Sequence, residues 1–131
     1  MKLHHIGYAV ADIEKAISEF VNLGYVIESK TVDVGRNIVI VFAKNNGTLI
    51  ELISPLNKGS PVDNILEKNG PMPYHICYEV ANIYEATKNL KQAGYLVIQK
   101  TSPAPAINEQ NVCFMYSKTL GIIELVESPL S

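Results

Sequence analysis

Two histidines and two glutamates recur in matching places along this 131-residue chain. His5 opens the segment His5-Ile6-Gly7-Tyr8-Ala9-Val10, and seventy positions later His75 opens His75-Ile76-Cys77-Tyr78-Glu79-Val80. Glu51, in Glu51-Leu52-Ile53, is echoed at an offset of seventy-three by Glu124, in Glu124-Leu125-Val126. Imidazole nitrogen and carboxylate oxygen are ligand types of divalent-metal sites, and two related halves that bring one of each to a common point outline such a site. Two neutral imidazoles and two carboxylates offset the charge of a divalent cation and leave coordination positions open for water or substrate. That is the condition for Lewis-acid catalysis. A mixed nitrogen and oxygen set suits octahedral Ni, Co, Mn or Fe, with Zn as an alternative.

The elements that must position these residues are duplicated as well. Asp12 is suited to cap a helix whose apolar positions Ile13, Ala16, Ile17, Phe20 and Val21 fall at helical spacing, and Gly24 stops it. Asn82, Ile83, Ala86, Leu90 and Gly94 repeat the design, and Leu23-Gly24-Tyr25 returns as Ala93-Gly94-Tyr95. A short alternating strand precedes each helix, and β-branched segments such as 38–43 and 112–116 follow, so each half reads as β-α-β-β-β in an α+β fold. Asn45-Asn46-Gly47 supplies a hairpin turn before the Glu51 strand, and Lys118 to Gly121 turns the matching corner. Ser60-Pro61 reads as a cap and first position of a short helix through Leu66, ending near Gly70. The chain is expected to be one domain over 1–131, with a first module at about 1–56, a linker at 57–73 and a second module at about 74–131.

Strand alternation sorts the faces. His5, Gly7 and Ala9 oppose Ile6, Tyr8 and Val10, and His75, Cys77 and Glu79 oppose Ile76, Tyr78 and Val80. The bulky face suits packing under helices, whereas the histidine face, with small or polar neighbours, suits a cavity. Glu51 and Glu124 each stand as the single charge among apolar neighbours on their face. A carboxylate buried so must be paired, protonated or bound to a metal. His4 points away from His5. Glu127 is a rival carboxylate in the same strand as Glu124, a solvated edge-strand position is the alternative for Glu51, Cys77 reads as packing, and Glu79 reads as a residue behind the ligands or at the cavity rim.

Composition narrows the function classes. With 47% apolar residues and a net charge of -2, the chain can bury a core but carries no basic stripe for nucleic acid or polybasic patch for a membrane. No apolar run approaches the length of a membrane helix, and Met1 leads directly into a strand-like segment, so the expected location is cytoplasmic. Cys77 and Cys113 fit buried thiols, and their spacing matches no zinc pattern.

Five segments, in order, resemble the vicinal oxygen chelate (glyoxalase/bleomycin resistance/dioxygenase) superfamily. They are His5-Ile6-Gly7-Tyr8-Ala9-Val10, Ile50-Glu51-Leu52-Ile53-Ser54-Pro55, the run from Ser60-Pro61-Val62 to Asn69-Gly70, Pro73-Tyr74-His75-Ile76-Cys77-Tyr78-Glu79-Val80, and Gly121-Ile122-Ile123-Glu124-Leu125-Val126-Glu127. Within it the chain is similar to the branch holding methylmalonyl-CoA epimerase and short bacterial glyoxalase I. The resemblance implies two βαβββ modules forming a curved mixed sheet around a central metal cavity. It puts His5, Glu51, His75 and Glu124 on the ligand positions, with Glu124 and Glu51 also in catalysis, and one Ni or Co ion per chain.

The resemblance leaves the activity to particular departures. Epimerases of this branch carry a separate glutamate base in the loop before the third strand, and that position falls on Gly35, with Asp33 out of register. The expected function is therefore a glyoxalase I-type (lactoylglutathione lyase-like) isomerisation of a hemithioacetal of methylglyoxal and a thiol, through an enediolate. Methylmalonyl-CoA epimerase is the alternative, and a non-enzymatic binding protein of the same fold is a further one. Glutathione-dependent members often carry arginine where this chain has Ala9. Arg36, the only arginine, or lysines such as Lys44 would then bind the thiol's carboxylates. The partner is a small thiol-linked molecule, a homodimer is left open, and the long connection from Pro55 to Tyr74 favours four ligands from one chain.

Overall fold

The computed structural model describes residues 1–128. The first module runs β1 (Lys2–Ala9), α1 (Ile13–Asn22), β2 (Val26–Asp33), β3 (Ile38–Asn45) and β4 (Thr48–Pro55). After α2 (Asp63–Asn69), the second runs β5 (Met72–Val80), α3 (Ile83–Gln92), β6 (Leu96–Ala104), a 3-10 turn at Pro105–Ile107, β7 (Gln110–Ser117) and β8 (Gly121–Glu127). The chain is α+β, and the β-α-β-β-β pattern is present twice. Among the described residues no helix is long and apolar enough to cross a membrane.

The two helices form for matching local reasons. Asp12 Oδ1 accepts the Lys15 amide at 3.1 Å, and Asn82 Oδ1 accepts the Glu85 amide at 3.0 Å, each satisfying a donor that the first turn leaves orphaned. At the other end Gly24 and Gly94 adopt φ of 95° and 99°, a left-handed geometry that a side chain resists, and the chain turns back into a strand.

The linker helix begins later than its sequence suggests. The helix starts at Asp63, whose carboxylate reaches back to accept the Gly59 and Ser60 amides at 2.8 and 3.0 Å, while Ser60 Oγ accepts the Val62 amide at 3.5 Å. The carboxylate and the hydroxyl thus serve different backbone donors on the two sides of Pro61, as in a reciprocal cap.

Each module is a mixed four-stranded sheet. In the first, β1 lies parallel to β4, and β3 pairs antiparallel with both β4 and β2. In the second, β5 lies parallel to β8, and β7 pairs antiparallel with β8 and β6. The helix between the first two strands of each module covers one sheet face. Under α1 a core forms from Val10, Ile13, Ala16, Val39, Val41, Ile50 and Leu52, and under α3 one forms from Val80, Ile83, Ala86, Cys113, Met115, Ile123 and Leu125. Ile76 departs from the expected burial at 40% exposed. Two compact units result: His5–Tyr74, which includes α2, and the residues from His75 onward together with Met1–His4.

Because each cap is local to one module, Asp12→Ala and Asn82→Ala should each lower unfolding stability by about 1 kcal/mol in urea titrations. An unchanged midpoint in either variant would show that the helix does not depend on its cap.

Candidate functional site

In each module the register of the parallel strand pair brings an imidazole to a carboxylate. Gly7 of β1 stands opposite Glu51 of β4, so His5, two residues upstream, shares the face of Glu51. Cys77 of β5 stands opposite Glu124 of β8, and His75 occupies the same place relative to it. His5 Nε2 lies 3.3 Å from Glu51 Oε1, and His75 Nε2 lies 3.0 Å from Glu124 Oε1. The four residues are between 1% and 4% exposed, so each carboxylate depends on its neighbours, not on water. Glu51 is not on an edge, because β4 is flanked by β1 and β3.

The rival acidic residues have other tasks. Glu127 accepts the Ile83 amide at 2.9 Å and the Asn111 side-chain amide at 3.4 Å, so it caps α3. Glu79 accepts the Ser128 hydroxyl at 2.8 Å and lies 3.7 Å from Lys2 Nζ. Cys77 is fully buried.

Sequence reasoning missed two aromatic residues. Phe42 and Phe114 are the cross-strand partners of Glu51 and Glu124. Their rings meet His5 and His75 edge to face, at centroid distances of 5.6 and 5.2 Å and interplanar angles of 76° and 81°. Such packing restrains the imidazole planes. The signal was available, since Phe42 lies nine residues before Glu51 and Phe114 ten before Glu124.

The donors suit a metal. Adjacent vertices of an octahedron with bonds of about 2.1 Å lie about 3 Å apart. The nitrogen–oxygen separations of 3.3 and 3.0 Å match two neighbouring ligands in each module.

Arg36 lies in the turn between β2 and β3. Asp33 Oδ1 accepts its amide at 3.1 Å and Asp33 Oδ2 accepts Nη1 at 3.0 Å, with both side chains largely buried. A Cβ on Gly35 would stand 3.7 Å from Asp33 Oδ1. The turn therefore holds a buried carboxylate beside Gly35, where linear register indicated none. Lys44 is exposed.

Residues 4–114 match the model of the glyoxalase/bleomycin resistance protein/dioxygenase superfamily. The chain belongs to this superfamily. Ethylmalonyl-CoA/methylmalonyl-CoA epimerase of Cereibacter sphaeroides is 35% identical, over 95% of this chain and 96% of that protein. The mitochondrial methylmalonyl-CoA epimerase of Homo sapiens is 32% identical, over 97% of this chain and 74% of that protein. The crystal structure of methylmalonyl-CoA epimerase from Mycobacterium tuberculosis has a TM-score of 0.86 at 25% identity, covering 99% of this chain and 89% of that one.

These superfamily relatives overturn the glyoxalase I-type expectation, because the matches, which span nearly all of this chain, carry the name of the alternative activity. Gly35 and the register of Asp33 do not exclude that alternative, because Asp33, Glu51 and Glu124 are all buried carboxylates. Ala9, at 0% exposure, also offers no cation for the carboxylates of a peptide thiol. The preference for Ni drawn from the glyoxalase branch loses its basis with it.

Titration with Co(II) should give saturable visible absorption, and His75→Ala or Glu124→Ala should weaken binding by about tenfold or more. Wild-type affinity in both variants would exclude these side chains as ligands.

Proposed function

We propose that this chain is a metal-dependent epimerase of 2-alkylmalonyl-CoA thioesters, which removes the α-proton from one face of the carbon and returns a solvent-derived proton to the other. The observation that carries this reading is the 35% identity over nearly all of both chains to an ethylmalonyl-CoA/methylmalonyl-CoA epimerase. The repeated buried imidazole–carboxylate pair supports it.

In this reading His5, Glu51, His75 and Glu124 together hold one divalent ion per chain. When bound, the ion supplies Lewis acidity toward the thioester oxygen, where negative charge gathers as the α-proton leaves. Glu124 and Glu51 are the carboxylates that exchange the proton: one accepts it, and the other returns a proton to the opposite face, as inversion requires. Phe42 and Phe114 keep the histidine rings in plane for their donors. Arg36, oriented by Asp33, provides a planar guanidinium for the free carboxylate of the malonyl group. Burial of the four central side chains limits water at the reacting carbon, and each glutamate exchanges its proton with solvent between turnovers.

Metal-loaded protein should exchange the α-hydrogen of methylmalonyl-CoA for solvent deuterium, followed by NMR. Glu51→Gln and Glu124→Gln should each slow exchange by about a hundredfold. Absence of exchange in metal-loaded wild type would overturn the proposal. If all four ligands come from one chain, mixing His5→Ala and His75→Ala subunits under exchange conditions should restore no activity, whereas recovery would demonstrate shared sites.

A further inference from the structure

The internal duplication provides a control for every surface of the second module, and one surface differs in kind. Between α3 and β6 lies a cleft of about 650 Å³, with Lys88, Lys91 and Lys100 around it and Val97 and Cys113 among its apolar walls. Among the described residues no carboxylate lines it.

The matching positions of the first module carry more apolar bulk and a paired cation. Ile17 and Ile27 pack onto the core under α1, where the second module has Thr87 and Val97. Val41 is replaced by Cys113, Ser18 by Lys88 and Val21 by Lys91. Lys30 in β2 is held by Glu14 at 2.8 Å, and the counterpart of Glu14 is Tyr84. Three apolar positions have lost bulk, two cations have been added, and the acid that would offset a third has become an aromatic ring. The backbone differs too: β6 has register irregularities on both sides of Gln99, whereas β2 has one. The Thr87 hydroxyl donates to the Ile83 carbonyl at 2.9 Å, which keeps it on its own helix, and Val97 is left 36% exposed. Burial pushes the Cys113 thiol above its ordinary pKa, so that wall is uncharged.

We infer that the cleft between α3 and β6 binds a phosphorylated small molecule of nucleotide size. Three ammonium groups fit the phosphates, and the exposed Tyr84 ring and the Val97 and Cys113 wall fit an apolar or aromatic moiety. The volume is that of a small-ligand pocket. The site is separate from the His75–Glu124 pair: Cys113 and Leu125 belong to the core under α3, whereas Phe114 and Glu124, their neighbours in β7 and β8, face the other way. The same chemistry is carried by a free nucleotide and by the nucleotide end of coenzyme A.

The test is a titration of the isotope-labelled full-length protein with ADP, read by amide NMR shifts, with coenzyme A as competitor. Saturable shifts are expected at Thr87–Gln92 and Lys100–Thr101, weakening as salt is raised. Lys88→Gln combined with Lys91→Gln should reduce ADP affinity by about tenfold without altering the melting temperature. Displacement of ADP by coenzyme A would support the site with coenzyme A as occupant, and lack of displacement would support it with a free nucleotide. No saturable shift with millimolar ADP, or equal shifts at Ile17–Asn22 of the first module, would overturn the proposal. Neither result depends on whether the protein epimerises anything.

Discussion

The constraint on which the rest of the structure depends is the register of two parallel strand pairs. With Gly7 opposite Glu51 and Cys77 opposite Glu124, each glutamate shares a face with a histidine. A slip of one residue would turn the carboxylates into the apolar cores under α1 and α3. There a charge would lack its imidazole and would cost several kcal/mol. The capped helices, the Gly24 and Gly94 reversals and the alternating apolar positions all favour the register in which the bulky face meets the helix.

That division of labour explains how the two halves have diverged. On the histidine face both modules keep the same trio of imidazole, carboxylate and aromatic edge, with nearly the same distances. On the helix face the requirement is only to cover the core, and a groove can be filled, as by Ile17 and Ile27, or left open, as beside Thr87 and Val97. The helix face can thereby vary without disturbing the imidazole–carboxylate pairs on the other.

The turn after β2 shows why a linear comparison misled. Gly35 lacks a side chain, so counting along the chain finds no carboxylate at that place. In space Asp33 brings one close to it, fixed by the Arg36 amide and guanidinium. The same distinction applies to the linker helix, which starts at Asp63, whose carboxylate reaches back to the Gly59 and Ser60 amides.

Period and duplication in the sequence determined the β-α-β-β-β order, the helix caps and stops, and the pairing of one histidine with one glutamate per half, because these follow from local spacing and strand alternation. The sequence could not decide which of Glu124 and Glu127 faces His75, whether Glu51 is buried, or which rings bracket the imidazoles. Those outcomes depend on strand neighbours remote in the chain: β3 and β1 enclose β4, and the start of α3 engages Glu127. A side chain's chemistry is local, whereas its burial and its partner are properties of the packed sheet.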